Sequence, residues 1–252
     1  MNEYREIAAA EKSKMFHTFF FPVLFIILLW LVKLCEIVFD YPLYNLGVYP
    51  RHLKGIVGVL TAPLIHADFG HLLSNSIPLF VLGSGLFYYF RSVAYSIFFL
   101  ILFATGFWVW VAARPSYHIG ASGVVYGLAT FMFVSGAIKK NMSLAAFSLV
   151  VVFLYGNMIW GVLPVMPHIS WESHLMGAIA GIVMAIYYKE LGPQKTTYQW
   201  ETEEENSDDE NIIPIDIIDY TVEDVPIVNA SNQEDSIINP VYNYTFKPKN
   251  EA

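Results

Sequence analysis

The sequence predicts an all-α polytopic membrane protein: a bundle of six transmembrane helices followed by a disordered acidic C-terminal tail. Three observations carry this. Of 252 residues, 56% are hydrophobic and 16% aromatic, with a mean hydropathy of +0.47, outside the range of a soluble domain of this length. Six apolar stretches approach the 20 or so helical residues that a hydrocarbon core about 30 Å thick requires. They are Phe16–Leu34, His71–Phe90, Ala94–Ala112, Gly120–Ile138, Leu144–Leu163 and Ser173–Tyr188. Composition then changes abruptly after Lys195: Thr196 to Ala252 hold fourteen acidic residues and two lysines, a net charge of −12, whereas residues 1–195 carry +4.

Residues 1–15 are expected to form a short cytoplasmic N-terminus, 16–190 the membrane domain and 191–252 the tail. The first stretch, "FFFPVLFIILLWLVKL", is bulky, long and not followed by a small-x-small cleavage site, so it reads as a retained span rather than a signal peptide. The single cysteine, Cys35, has no partner for an intrachain disulfide and reads as an inert buried thiol. Basic residues orient the bundle. With the N-terminus inside, Arg5, Lys12, Lys14, Arg91, Lys139, Lys140, Lys189 and Lys195 lie at cytoplasmic ends, against Lys33, Arg51, Lys54 and Arg114 outside. The positive-inside rule therefore puts both termini in the cytoplasm.

The connection from about residue 36 to 70 is long for a helix loop. Its "YPRHLKG", Tyr49 to Gly55, is expected to lie in the outer interface with Arg51 and Lys54 reaching headgroups. The other connections are short, and no internal repeat is evident. In the tail, "ETEEENSDDE" cannot bury a core and "IIPIDIIDYTVEDVPIV" lacks helical spacing. Its "NPVY", Asn239 to Tyr242, matches a peptide-docking motif too short to carry weight, and a tail partner is unknown.

Polar residues within the apolar stretches fall into three groups. "HADFGHLLSN" places His66 just before the second stretch and His71 and Asn75, four apart, on one face of its first turns. "HIGASGVVYG" opens the fourth with Ser122 and Tyr126 on one face. "ESHLMGAIAG" opens the sixth with His174, above Gly177, Ala178 and Gly181. Because the second, fourth and sixth helices all run from outside to inside, the three groups converge at one depth in the outer leaflet. Ser122 lies 17 residues before Lys139, about 25 Å at 1.5 Å per residue, which sets it somewhat below the outer surface.

Gly123 with Gly127, and Gly177 with Gly181, form two small-xxx-small pairs that permit close helix approach. Such a crossing would bring the Ser122 hydroxyl and the His174 imidazole within hydrogen-bond reach, the arrangement that activates a serine. Each feature has a plainer reading on its own: a serine caps helices, an intramembrane histidine is often structural, and GxxxG is often only packing. Zinc on His66, His71 and His174 would lack a carboxylate or thiolate ligand and the His-Glu-x-x-His signature. Neither a metal nor a cofactor is expected.

Taken together, "HADFGHLLSN", "GASGVVYG" and "SHLMGAIAG" resemble the rhomboid family of intramembrane serine proteases, whose pattern runs His-x4-His-x3-Asn, Gly-x-Ser-Gly and His-x2-Gly-x3-Gly. The resemblance extends over about Phe16 to Glu190. It implies a six-helix bundle with a Ser-His dyad: Ser122 as nucleophile and His174 as general base and acid. It also implies an oxyanion hole from His71, Asn75 and the Ser122 N–H, and a ring stacked on the base from Tyr126. Gly120 would keep the preceding loop open, Gly123, Gly177 and Gly181 would permit helix contact, and His66 would support loop structure. The fifth helix, with Phe153, Asn157 and Trp160, becomes a candidate lateral gate. Many members carry a Trp-Arg pair in the first loop where this chain has "YPRHLKG".

The expected partners are transmembrane protein substrates and the lipid bilayer, with no nucleic acid. The preferred function is endoproteolysis in or next to transmembrane segments near the extracytoplasmic face. Two alternatives stand beside it. An inactive relative that binds transmembrane helices would be expected to lose Ser122 or His174, and a proton-relaying transporter would tolerate Ser122→Ala.

Overall fold

The computed structural model describes residues 2–154, 160–164 and 170–193. Among them helix is the regular structure, together with short 3-10 turns and an isolated antiparallel bridge between Val48 and His118. The helices are α1 (Asn2–Val38), α2 (Gly58–Thr61), α3 (Phe69–Tyr89), α4 (Ala94–Ala112), α5 (Ser122–Ile138), α6 (Met142–Leu154) and α7 (Trp171–Tyr187).

Three helical segments are long and apolar enough to cross a membrane: Lys12–Val38, Phe69–Tyr89 and Ala94–Ala112. The chain is an integral membrane protein. α4 coincides with its expected stretch, and α3, α5 and α7 begin within two residues of theirs. Two starts are set by capping. The Asp68 carboxylate accepts from the His71 N–H at 2.8 Å, and the Ser170 hydroxyl accepts from the Ser173 N–H at 3.4 Å, each satisfying a first-turn donor. The fifth stretch departs from expectation, since α6 extends to Leu154 and residues Trp160–Val162 form a 3-10 turn. Asn157, the "NPVY" motif and nearly all of the acidic tail lie outside the described residues.

Helix α5 is central, packed by α3, α4, α6 and α7, and is buried along most of its length. This follows from its composition: a helix apolar around its circumference, with glycine or alanine wherever a neighbour approaches, can be enclosed by other helices. Helix α1 sits at the edge against α3, where Gly83 makes room for the Pro22 ring. It turns Phe16, Phe20, Leu24 and Leu31 outward. An outward apolar face is the normal condition of a helix bathed in lipid. Cys35, expected to be buried, is exposed on this helix.

The first loop is fastened to the end of α4. The Trp110 Nε1–H donates to the His52 carbonyl at 3.0 Å, the Arg51 N–H to the Trp110 carbonyl at 2.9 Å, and the Arg51 guanidinium to the Ala113 carbonyl at 3.2 Å. Arg51 thus satisfies the C-terminus of α4, where a cation is favoured by the exposed carbonyls. This differs from the headgroup role read from sequence. Lys33 likewise differs from a loop charge. Its buried ammonium donates to Glu36 at 2.8 Å and to the His66 and Ala67 carbonyls at 3.1 and 3.0 Å, which ties α1 to the chain entering α3.

Candidate active site

The two glycine pairs meet. A methyl group on Gly177 would collide with the Gly123 carbonyl, and one on Gly181 with the Gly127 carbonyl and the Thr130 hydroxyl. Backbone therefore lies directly on backbone along the α5–α7 seam. Thr130 Oγ1 reinforces it by donating across to the Ala178 carbonyl at 2.9 Å. Close approach is possible only because these positions lack side chains.

At the top of that seam His174 Nε2 lies 2.8 Å from Ser122 Oγ, and His174 Nδ1 lies 2.8 Å from the Gly161 carbonyl oxygen. A carbonyl oxygen can only accept, so Nδ1 carries the proton and the Nε2 lone pair faces the serine hydroxyl. The Tyr126 ring stacks on the imidazole with centroids 4.2 Å apart and planes 9° from parallel, which fixes the ring's tilt. A Cβ on Gly161 would collide with the Tyr126 hydroxyl and stand 2.9 Å from His174 Nδ1, so glycine is what allows a backbone carbonyl to orient the base.

Opposite lies the first turn of α3. Gly120, with φ of +107°, presents a face that a Cβ would put 2.8 Å from His71 Nε2 and 3.6 Å from Asn75 Nδ2. The left-handed backbone and the imidazole both require glycine there. Asn75 is buried, and its Nδ2 makes no hydrogen bond among the described residues. A buried donor without an acceptor is uncommon and costly.

The chain leading to Ser122 is held at each step. His118 pairs its N–H and carbonyl with Val48, the Gly120 N–H donates to the Ala62 carbonyl at 2.9 Å, and the Ala121 N–H donates to His66 Nε2 at 3.4 Å. Burial, then the neighbouring His71, push the His66 pKa down to about 4, keeping it neutral and able to accept that bond. Ser122 itself is the first residue of α5, so its N–H has no partner four residues back.

The structure thus brings Ser122, Tyr126 and His174 together across the seam and gathers His71, Asn75 and Gly120 beside them, with His66 behind the loop. Gly123, Gly177 and Gly181 form the contact beneath. Phe153 lies exposed at the outer surface of α6. Sequence reading missed Gly161, which has no motif around it, and a polar group formed by Arg114, His118, Ser170 and Glu172. The signal for the latter was a carboxylate at the start of an apolar helix. Glu172 is buried and pairs with the Arg114 guanidinium at 3.3 Å.

A multi-helix membrane domain thus joins a serine and a histidine across a glycine seam. The rhomboid domain model matches residues 53–190. The chain belongs to the rhomboid family. An uncharacterized protein of Mycobacterium tuberculosis is 38% identical over 173 residues, covering 64% of this chain and 71% of its own length. An uncharacterized protein of Mycobacterium leprae is 31% identical over 197 residues, covering 69% and 71%.

Proposed function

We propose that this protein is an active intramembrane serine endopeptidase that hydrolyses peptide bonds in or next to transmembrane segments of other membrane proteins. The observation that carries this reading is the directed chain from Ser122 Oγ through His174 to the Gly161 carbonyl, with 2.8 Å at both links. The tautomer so fixed is the one a general base needs. Here the basic nitrogen is the one that faces the hydroxyl.

In the reaction, Ser122 Oγ attacks the scissile carbonyl carbon as its proton passes to His174 Nε2. The new imidazolium keeps its Nδ1–H on the Gly161 carbonyl, so the ring does not swing as it gains charge. The Ser122 N–H, Asn75 Nδ2 and His71 serve as donors to the tetrahedral oxyanion. Such donors contribute most where water is sparse. Collapse breaks the peptide C–N bond while His174 returns its proton to the leaving nitrogen. Water, giving its proton to the same Nε2, then attacks the Ser122 ester; the acyl carbon–Oγ bond breaks, the acid leaves and His174 returns the proton to Ser122 Oγ. No metal or cofactor takes part.

The same reading includes six spans over residues 16–190, a short cytoplasmic N-terminus before them and a cytoplasmic tail at 191–252. Both termini are inside and the site opens toward the extracytoplasmic face. Substrate segments with small or helix-weakening residues in their outer turns are favoured, because a scissile peptide must first leave its helical hydrogen bonds. Reconstitution with a single-pass substrate carrying a glycine- and alanine-rich outer turn tests this. Cleavage is expected with the native chain and with neither Ser122→Ala nor His174→Ala. Cleavage that persists in Ser122→Ala would overturn it.

A further inference from the structure

One helical turn above the Ser122–His174 pair stands a second histidine–serine pair. His118 and Ser170 each precede the corresponding member by four residues, and the residue types are exchanged between the two strands of chain. His118 Nδ1 lies 2.5 Å from Ser170 Oγ, and His118 Nε2 lies 3.1 Å from the Arg114 carbonyl. The carbonyl can only accept, so Nε2 holds the proton and Nδ1 accepts from the Ser170 hydroxyl. Ser170 Oγ, having donated, accepts in turn from Ser173 Oγ at 2.7 Å and from the Ser173 N–H at 3.4 Å. Every proton in this chain has one direction.

The location gives the pair a task. The His118 backbone is bridged to Val48 of the first loop, its chain leads in four residues to the nucleophile, and its ring grips the N-cap of the helix that carries the base. Arg114 and Glu172, paired at 3.3 Å, join the same two segments beside it. The side-chain hydrogen bonds of the upper pair run to Arg114 and Ser173, not to Ser122 or His174. The glycine seam below sets how closely α5 and α7 approach, but backbone packed on backbone does not by itself prevent one helix from sliding along the other.

We infer that His118 and Ser170 are positioning residues, whose hydrogen bond fixes the axial register of α7 against the loop preceding Ser122 and so aims His174 Nε2 at the Ser122 hydroxyl. The inference rests on the protease reading above. Burial lowers the His118 pKa, which agrees with a neutral acceptor. The ionisable groups facing it are Arg114 from the α4–α5 connection and Glu172 from α7, and these pair with one another.

The test is the concentration dependence of fluorophosphonate labelling of the full chain in detergent, with thermal unfolding of each variant measured beside it. Ser170→Gly removes the hydroxyl yet keeps a residue tolerated at an N-cap. It is expected to lower the maximal labelling rate about 10- to 100-fold, the scale of a small misalignment. The probe concentration at half-saturation and the unfolding temperature should stay nearly unchanged. Ser170→Thr should restore the rate. His118→Asn, whose amide oxygen stands near the place of Nδ1, should retain more rate than His118→Gln, which resembles the other nitrogen. Ser170→Gly and His118→Gln labelling as fast as the native chain would overturn the inference while leaving the protease reading intact. A native chain that does not label would overturn both.

Discussion

The two sides of the candidate site differ in how completely they satisfy themselves. On the α5–α7 side the Ser122 hydroxyl, both His174 ring nitrogens and the face of that ring all have partners. On the α3 side Asn75 is buried with its amide donor unmatched. The first side is complete before anything binds. On the second, the Asn75 amide donor lacks an acceptor among the described residues. On the protease reading, this unmet hydrogen bond stands where negative charge would develop during reaction, which is where an unmet bond contributes most to rate.

This difference is breakable by substitution. The largest effect is expected at the complete side, where Ser122→Ala or His174→Ala should reduce substrate cleavage by at least about 10⁴-fold, since the two groups act as one unit. Asn75→Ala should follow, lowering kcat about 10²- to 10³-fold. Unlike most buried substitutions it should leave the unfolding temperature unchanged or slightly raised, because it removes a donor that the resting protein leaves unsatisfied. A clear loss of stability in Asn75→Ala would show that its amide is already in use.

Gly161→Ala sharpens the comparison differently. Its methyl meets the Tyr126 hydroxyl and His174 Nδ1, so rate should fall about 10- to 100-fold through misorientation of the base, with KM nearly constant. Tyr126→Phe keeps the stacked ring, and kcat should stay within about threefold of native. Aromatic stacking of this kind contributes about 0.5–1.5 kcal/mol.

The smallest effect is the pH dependence of stability from His66. Its pKa falls from the ordinary 6.5 of the free side chain to about 4 when folded, so the unfolded chain binds the extra proton first. The His66 contribution is complete above pH 6.5 and is lost as pH falls toward 4. Unfolding temperatures measured across that window should drop less in His66→Gln than in the native chain.

Much of this was legible in the sequence for a physical reason. Lipid removes the options that make soluble folds hard to read, so apolar length announces the helices and each polar group within them stands out. α4 coincided with its expected stretch, and Ser122, His71, Asn75 and His174 could be assigned to first turns by counting. The glycine pairs pointed to the seam because nothing but backbone contact explains Gly177 and Gly181 four residues apart on the face of His174. What stayed hidden was contributed by backbone atoms or by segments distant in sequence. The Gly161 carbonyl has no side-chain signature. Arg51 gripping the end of α4, and Lys33 holding the His66 and Ala67 carbonyls, depend on where loops return. Charge counting sees those cations only as topology signals.

The most direct measurement is labelling of the native protein with a fluorophosphonate followed by mass mapping of the modified residue. On the protease reading, a single adduct on Ser122, absent in His174→Ala, is expected. A folded native chain that takes no label, or one modified at another serine, would contradict it.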